Sequence, residues 1–242
     1  MYSFSSTSPQ GSWIRAIYAG LEFQLSENLP CHTLPPSNLS VPRASHGLGA
    51  DGNDFAPIVP QLNLPAGVGV RFIFPHAPSI PVTINNGYVM PAWYDIKSMD
   101  GGRHVDTEQI EQSAGWVHDL IEREIERGVA PDRIVIAGFS QGGAITYEAA
   151  LSYPKRLAGM MLLSTYFPTA QTVKMDAVQA GLPALICHGS HDPVVVEGMG
   201  LEGKARLEAL GFTPEYRTYP MEHAVCPQEI ADIGVWLSKV LA

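Results

Sequence analysis

A glycine-rich pentapeptide at 138–142 (GFSQG) places the tightest constraint on how this chain can fold. An apolar run precedes it over 133–137 (RIVIA), and a stretch of helical character follows it as far as Tyr153. A serine between a strand and a helix has to occupy a strained turn, and glycine neighbours leave the space which that turn needs. The sequence therefore predicts a strand–turn–helix unit with Ser140 at the turn.

The rest of the chain after residue 68 alternates between short β-rich runs and amphipathic helices. Strands are predicted over 68–74, 133–137, 157–164, 183–188 and 214–219, and helices over 107–128, 140–153, 201–210 and from Pro227 onwards. Apolar strands separated by helices are typical of an α/β protein with a mostly parallel central sheet flanked by helices. Because no repeat or long linker interrupts the pattern, we expect a single domain.

Composition and charge exclude several classes of protein. Of the 242 residues 45% are hydrophobic and 16% are charged, which indicates a folded chain with a large core. The longest apolar runs fall well short of the roughly 20 residues of a membrane-spanning helix. The net charge of −9 without a basic run is unfavourable for nucleic-acid binding. We therefore expect neither nucleic acid nor stable membrane insertion, while a homodimer is left open.

The cysteines indicate the cellular compartment. Cys31, Cys187 and Cys226 are odd in number and widely spaced, so they match neither a disulfide framework nor a zinc site. The first residues lack the basic start and apolar stretch of a secretory signal. We therefore expect reduced thiols in a cytoplasmic protein.

A serine hydroxyl needs a base before it can act as a nucleophile. In the strand–turn–helix architecture, an acid and then a histidine should follow the serine along the chain. Asp192 lies in the loop after the predicted strand that ends at His188, and His223 lies in the loop after the strand that ends at Tyr219. Because open α/β sheets place their sites at the carboxyl ends of strands, Ser140, Asp192 and His223 are predicted to form a catalytic triad.

Other assignments of these residues are weaker. Glu197 and Asp176 are rival acids, but neither follows a predicted strand end as closely as Asp192 does. A metal site made of His188, His191 and Asp192 would need a helix to bring its ligands together, whereas the glycine and proline neighbours favour a loop. No metal is therefore expected.

The loop at 46–52 (HGLGADG) is the candidate for the second half of an oxyanion hole. Its glycines let the backbone approach a ligand closely, and an early loop of this kind supplies one N–H donor in serine hydrolases. The other donor should be the backbone N–H of the residue after the serine. The backbone N–H groups of Leu48 and Gln141 are the predicted pair.

Six motifs occur in an order that resembles the phospholipase/carboxylesterase branch of the α/β-hydrolases, which includes bacterial carboxylesterases and acyl-protein thioesterases. They are 46–52 (HGLGADG), 74–78 (FPHAP), 81–85 (PVTIN), 90–95 (MPAWYD), 138–143 (GFSQGG) and 188–192 (HGSHD). Segments 85–96 and 219–223 look most like the bacterial carboxylesterases. The resemblance extends from His46 to the end of the chain.

The resemblance implies an α/β-hydrolase fold with Ser140, Asp192 and His223 as the triad. It also implies Leu48 and Gln141 as the oxyanion hole, and substrate contacts by Met90 and Trp93. No metal or organic cofactor is implied.

The first 45 residues depart from the family pattern. The family has an apolar strand that leads into the glycine loop, whereas this chain has 41–45 (VPRAS), in which the proline and arginine are unsuited to a central strand. Two explanations are open: the sheet lacks one strand, or residues 1–45 come from a mis-spliced or frame-shifted gene. We expect an atypical, poorly ordered segment over 1–45, with a short helix in 13–25, and a hydrolase domain over 46–242.

These residues predict a serine hydrolase that cleaves carboxylic esters, and by the same chemistry thioesters, through an acyl-enzyme. The substrate would be a small ester or an acylated molecule. Two alternatives within the enzyme class are a lysophospholipase and an acyl-protein thioesterase, which differ only in the pocket. The alternative outside that class is an inactive hydrolase fold used for binding.

Overall fold

The computed structural model describes residues 13–18, 48–49, 56–65, 69–100 and 102–242. In chain order the strands are β1 (Trp13–Tyr18), β2 (Gly69–Ile73), β3 (Ser79–Val82), β4 (Tyr88–Pro91), β5 (Ile96–Ser98), β6 (His104–Val105), β7 (Ile134–Phe139), β8 (Gly159–Leu163), β9 (Ala184–Gly189) and β10 (Glu215–Tyr219). The α-helices are α1 (Thr107–Glu126), α2 (Gln141–Ser152), α3 (Glu197–Ala209) and α4 (Pro227–Val240). Short 3-10 helices span Ala56–Leu62, Thr83–Asn85, Pro131–Arg133 and Ala177–Gln179.

Six strands form one parallel sheet in the order β2-β1-β7-β8-β9-β10. The antiparallel pairs β3–β4 and β5–β6 lie apart from it as two small sheets. The strand that carries the glycine pentapeptide, β7, lies inside the sheet, and β10 is at its edge. This arrangement confirms the predicted α/β class with a mostly parallel sheet.

The core lies on both faces of the sheet. On β7, Ile134 and Ile136 belong to a cluster with α1, α2 and α3, while Val135 and Ala137 belong to a second cluster with α4 and the 3-10 helix Ala56–Leu62. This alternation follows from the two-residue period of a strand. Burying each isoleucine or leucine stabilises the fold by roughly 1.5–3 kcal/mol, so both faces of the central strands are held firmly.

The helices begin and end where local chemistry favours it. Asp106 caps α1 by accepting a 3.0 Å hydrogen bond from the Gln109 N–H, and Pro227 occupies the first turn of α4. The helix α2 differs from the others because every residue from Gln141 to Leu151 is buried. A helix that is buried on all faces belongs to the core itself.

The structure agrees with the predicted elements after residue 68, apart from small shifts at their ends. The helix α3 begins at Glu197, one turn before the predicted start. The two small sheets were not predicted from the sequence. Within the described ranges, no helix combines the length and apolar character that crossing a membrane requires.

Two expectations for the N-terminal segment are wrong. Residues 13–18 (WIRAIY) form β1 and not a helix, and β1 pairs with both β2 and β7. The sheet therefore does not lack a strand between β2 and β7. Tryptophan, isoleucine and tyrosine favour strands, and the pairing partners are distant in the sequence, which local periodicity cannot detect. The rest of segment 1–45, including 41–45, lies outside the described residues.

Candidate active site

Ser140 lies at the sharp turn between β7 and α2. Its backbone has φ 55° and ψ −117°, a conformation that residues other than glycine rarely adopt. The turn is held from outside, because the Ser140 N–H donates a 3.0 Å hydrogen bond to the carbonyl oxygen of Leu163 in β8. The serine retains 6% exposure and occupies the N-cap position of α2, where its side chain makes no capping hydrogen bond.

The glycines around Ser140 are required by the close approach of the backbone. A Cβ atom on Gly138 would lie 2.1 Å from the carbonyl oxygen of Gly142, and one on Gly143 would lie 2.4 Å from the Cβ of Thr165. Neither contact can be relieved by rotating a flexible side chain. Gly138 and Gly143 are therefore needed for the geometry of the turn.

Asp192 and His223 are joined by a hydrogen bond. The distance between His223 Nδ1 and Asp192 Oδ2 is 2.6 Å, and Asp192 is only 5% exposed. Since an ionised carboxylate only accepts, the imidazole donates from Nδ1–H and keeps the lone pair of Nε2 free for a proton. The other carboxylate oxygen of Asp192 accepts the N–H groups of Val194 and Val195, each at 2.8 Å.

His223 also lies next to the serine turn. Its ring contacts the ring of Phe139, the residue before Ser140, with 4.7 Å between the centroids. The hydrogen bonds among the described residues do not include one between Ser140 Oγ and His223. The structure thus joins the predicted acid and base directly and places the base beside the element that carries the serine.

The rival acids have other partners. Glu197 accepts a 2.7 Å hydrogen bond from the hydroxyl of Thr218, and Asp176 caps a 3-10 turn by accepting the N–H of Val178 at 2.9 Å. Neither carboxylate is hydrogen-bonded to His223.

His188, considered above as a metal ligand, is fully buried. Its Nε2–H donates to the carbonyl oxygen of Val195 at 2.8 Å, and Nε2 lies 3.8 Å from Asp192 Oδ2. No cluster of three or more histidine, cysteine, aspartate or glutamate side chains suited to a metal ion occurs in the part of the chain that the structure describes. His188 thus belongs to the support of the Asp192 loop.

Two residues of the predicted oxyanion loop are described, Leu48 and Gly49. The Gly49 N–H donates a 3.0 Å hydrogen bond to the carbonyl oxygen of Pro91, and its φ of 89° is one that glycine adopts readily. A Cβ on Gly49 would lie 3.4 Å from Met90 Cε. The loop is therefore fastened to the end of β4.

The side chain of Gln141 connects the serine turn to the segment after β4. Its Oε1 accepts the N–H of Trp93 at 3.1 Å, and its Nε2 donates to the carbonyl oxygen of Tyr94 at 3.1 Å. Sequence reasoning predicted a role for the Gln141 backbone and missed this role for its side chain. No sequence signal marks it, because its partners lie almost fifty residues away along the chain.

The two predicted substrate contacts differ in exposure. Met90 is partly buried beside Gly49, and its sulfur accepts the Nδ2–H of Asn85 at 3.1 Å. Trp93 is a core residue with 3% exposure, and its carbonyl oxygen accepts the hydroxyl of Ser113 at 2.7 Å. Met90 is thus the more accessible of the two.

Thr165 is a further residue that sequence reasoning missed. It follows β8, and its side chain lies against the serine turn at Gly143. Its position directly after a predicted strand was a usable signal, since carboxyl ends of parallel strands line the sites of open α/β sheets.

Two buried tyrosines, Tyr94 and Tyr166, lie next to residues that contact the serine turn. The hydroxyls of Tyr94 and Tyr166 are 2.6 Å apart and buried. Burial raises the pKa of both tyrosines, so both remain protonated and bonded to each other.

Comparison with known proteins agrees with this geometry. A match to the family described as Phospholipase/Carboxylesterase covers residues 45–241. The acyl-protein thioesterase 1 of Neurospora crassa is 39% identical over 207 residues, which is 81% of this chain and 84% of that protein. The acyl-protein thioesterase 1 of Gibberella zeae is 37% identical over 207 residues, which is 81% of this chain and 88% of that protein.

Solved structures show the same likeness. SOBER1 of Arabidopsis thaliana has a TM-score of 0.76 and 33% identity, covering 81% of this chain and 96% of its own. Acyl-protein thioesterase 2 of Zea mays has a TM-score of 0.73 and 28% identity, covering 86% and 97% of the two chains. On the family match and on relatives at this identity, the chain belongs to the phospholipase/carboxylesterase family of α/β-hydrolases.

Proposed function

We propose that this hydrolase cleaves esters and thioesters with Ser140 as nucleophile, His223 as general base and Asp192 as the group that orients His223. The observation that carries the proposal is the 2.6 Å hydrogen bond between Asp192 and His223, which lies beside the strained turn of Ser140. A base that is oriented by a buried carboxylate next to a serine at such a turn is the arrangement that acyl transfer needs.

The reaction proceeds through an acyl-enzyme. His223 Nε2 takes the proton of Ser140 as its Oγ bonds to the substrate carbonyl carbon, and then returns that proton to the leaving alcohol or thiol. A water molecule then gives a proton to His223 while its oxygen bonds to the acyl carbon, and as the bond to Oγ breaks His223 returns that proton to Oγ, which frees the acid product and restores the enzyme. Asp192 stays ionised throughout and stabilises the imidazolium.

The oxyanion of each tetrahedral intermediate would accept the backbone N–H groups of Leu48 and Gln141. Support for this role comes from the place of Gln141 as the first residue of α2, at the positive end of the helix dipole. Met90, which borders Gly49, is the proposed contact for the acyl group, and Trp93 would support it from the core.

Labelling with a fluorophosphonate probe and turnover of nitrophenyl butyrate test the nucleophile. The Ser140→Ala variant should lose all labelling and lower kcat by about 10⁴-fold or more, because members of a triad act as a unit. Asp192→Asn should lower kcat by about 10⁴-fold through the wrong tautomer of His223. Labelling of a different serine in Ser140→Ala, or a wild-type protein that is neither labelled nor active, contradicts the proposal.

The names of the relatives support acylated proteins as the substrate class. Turnover of matched nitrophenyl esters and acyl-thioesters of increasing chain length distinguishes carboxylesterase from thioesterase activity. Lysophospholipids in the same series test the lysophospholipase alternative. A kcat/KM at least tenfold higher for thioesters than for esters of the same acyl chain supports a thioesterase.

Three further expectations stay proposals. The domain limits 46–242 are supported by the family match to 45–241. A cytoplasmic location is supported by the free thiols of Cys187 and Cys226. Whether the protein forms a homodimer is answered by light scattering after size-exclusion chromatography.

A further inference from the structure

We propose that Arg103 is a positioning residue that acts on His223 through the peptide group between Val194 and Val195 and through Asp192. This inference rests on the proposed function of Asp192 and His223. It assigns a role in the reaction to a residue on the segment between β5 and β6, far from the triad in sequence.

One peptide group carries both hydrogen bonds of the connection. Arg103 Nη2 donates to the carbonyl oxygen of Val194 at 2.7 Å, and the N–H of Val195 in the same peptide group donates to Asp192 Oδ1 at 2.8 Å. Asp192 Oδ2 in turn accepts Nδ1–H of His223 at 2.6 Å. A continuous chain of hydrogen bonds therefore runs from the guanidinium to the imidazole.

The direction of each bond gives the connection a definite electrostatic effect. A guanidinium is permanently charged, and a positive donor at a peptide oxygen draws electron density away from the N–H at its other end. Hydrogen bonds in such chains polarise and strengthen one another. The Val195 N–H is thus a stronger donor to Asp192, and part of the carboxylate charge is neutralised before it reaches His223.

The surroundings of Arg103 leave its charge available for this role. Its guanidinium carbon lies 4.6 Å from the centre of the Tyr166 ring, which is a cation–π contact. Among the described residues Arg103 forms no ion pair with a carboxylate, and its buried Nε atom has no hydrogen-bond partner. Its guanidinium thus has two neighbours of note among the described residues, the carbonyl oxygen of Val194 at 2.7 Å and the side chain of Tyr166.

The proposal predicts the sign of a change in the pKa of His223. Without Arg103, Asp192 would hold more negative charge and stabilise the imidazolium more, so the pKa of His223 should rise. A smaller fraction of His223 would then be neutral near pH 7. A merely structural role of Arg103 in holding the loop would lower the thermal midpoint without this shift.

The first experiment measures His223 directly, without need of turnover. In protein with ¹³C-labelled histidine, the His223 signal is identified by its absence in His223→Gln, and its titration is followed by NMR. Arg103→Met keeps the apolar stem and should move the titration to higher pH. Arg103→Lys keeps a charged donor and should restore much of the wild-type value.

Arg156→Met is the matched control. Arg156 also donates to backbone carbonyls, those of Val178, Ala180 and Gly181, at 3.1, 2.9 and 3.2 Å. It lies before β8, at the amino ends of the strands and away from the triad. This variant should lose thermal stability and leave the titration of His223 unchanged.

A double-mutant cycle on kcat/KM provides the second experiment. Arg103→Met should lower kcat and kcat/KM together by about 10- to 100-fold, as when a catalytic group is misplaced. In the Asp192→Asn background the same substitution should have almost no further effect, since its route to His223 is already broken.

The outcomes separate this inference from the proposed function. An unchanged His223 titration in folded Arg103→Met, or losses that multiply in the double variant, overturns the role of Arg103 and leaves the triad intact. If Asp192→Asn retains wild-type turnover, the proposed triad fails, and the NMR titration alone then decides whether Arg103 acts on His223.

Discussion

The hydroxyl of Thr165 donates a 2.6 Å hydrogen bond to the carbonyl oxygen of Ser140, and the same side chain lies against Gly143. A residue just after β8 thus contacts the serine turn at two points, the carbonyl of Ser140 and Gly143. The carbonyl of Ser140 also accepts the N–H groups of Gly143 and Ala144, at 3.1 and 3.2 Å. Thr165 therefore reinforces the turn and is not its sole support.

Thr165→Val should lower both stability and turnover. Valine keeps the shape of the side chain but removes the donor, which costs about 1 kcal/mol and lowers the thermal midpoint by about 2–4 °C. We also expect a lower kcat with little change in KM, because the turn orients the nucleophile. Thr165→Ser keeps the hydroxyl and should retain most of kcat. Equal kcat values for the valine and wild-type proteins would contradict this role.

Gly138→Ala and Gly198→Ala form a matched pair with opposite outcomes. At Gly138 the new Cβ would lie 2.1 Å from a backbone oxygen, so we expect a loss of about 3 kcal/mol or more together with loss of activity. Nothing lies within 4 Å of a Cβ at Gly198 in α3, so alanine should stabilise the protein there by about 0.5–1 kcal/mol. Denaturant unfolding measures both changes. An active, stable Gly138→Ala protein would contradict the geometry of the turn.

Gln141→Met should distinguish the role of the Gln141 side chain from the role of its backbone N–H. The variant leaves the Trp93 N–H and the Tyr94 carbonyl unpaired, at a cost of about 1–3 kcal/mol for each buried group. Fluorophosphonate labelling of Ser140 should persist, since the nucleophile and its base are untouched, while KM should rise as the segment with Met90 shifts. Gln141→Glu keeps the acceptor for Trp93 and should be intermediate. An unchanged KM in the methionine variant would rule out the connection.

Glu229 makes the stability of the protein depend on pH. It is fully buried at the first turn of α4, and among the described residues neither of its carboxylate oxygens has a hydrogen-bond partner in ordinary geometry. Burial raises its pKa from 4.5 to about 8, and the negative charge of Asp232 acts in the same direction, while the backbone of Cys226 opposes the rise. Between these two values the unfolded chain releases a proton that the folded chain keeps, so the free energy of unfolding falls as pH rises.

Glu229→Gln should therefore stabilise the protein, and more so at pH 8 than at pH 5. Glutamine cannot ionise, so the variant lacks the decline that wild type shows between pH 4.5 and about 8. Above that window the difference between the two proteins should level off. Thermal midpoints across this range provide the measurement, and a difference that is the same at pH 5 and pH 8 would show that Glu229 does not hold its proton in the folded state.

The sequence predicted those parts of the site whose causes are local. The glycines at 138 and 143 are required by contacts within a few residues or with the next strand, so the turn of Ser140 could be predicted from its immediate neighbours. Because Asp192 and His223 both follow strand ends, the sequence also indicated that these two side chains meet, and a 2.6 Å hydrogen bond joins them.

Other parts depend on contacts that periodicity does not report. The strand β1 pairs with β7 across more than a hundred residues, so local periodicity predicts a short helix in 13–25 where residues 13–18 form a strand. Arg103 meets Val194 across 91 positions, and the side chain of Gln141 meets Trp93 across 48. Such contacts follow from how the sheet brings distant loops together, which a pattern of apolar residues cannot specify.

The complete burial of α2 has a consequence for how the protein comes apart. Opening this helix would expose much of the core, so its local opening free energy approaches that of global unfolding. Asp192 and His223 lie instead on loops that follow β9 and the edge strand β10, where partial opening costs less. As heat or denaturant increases, the acid and base should separate from a serine that is still rigidly placed, so hydrolysis ends while most of the fold persists.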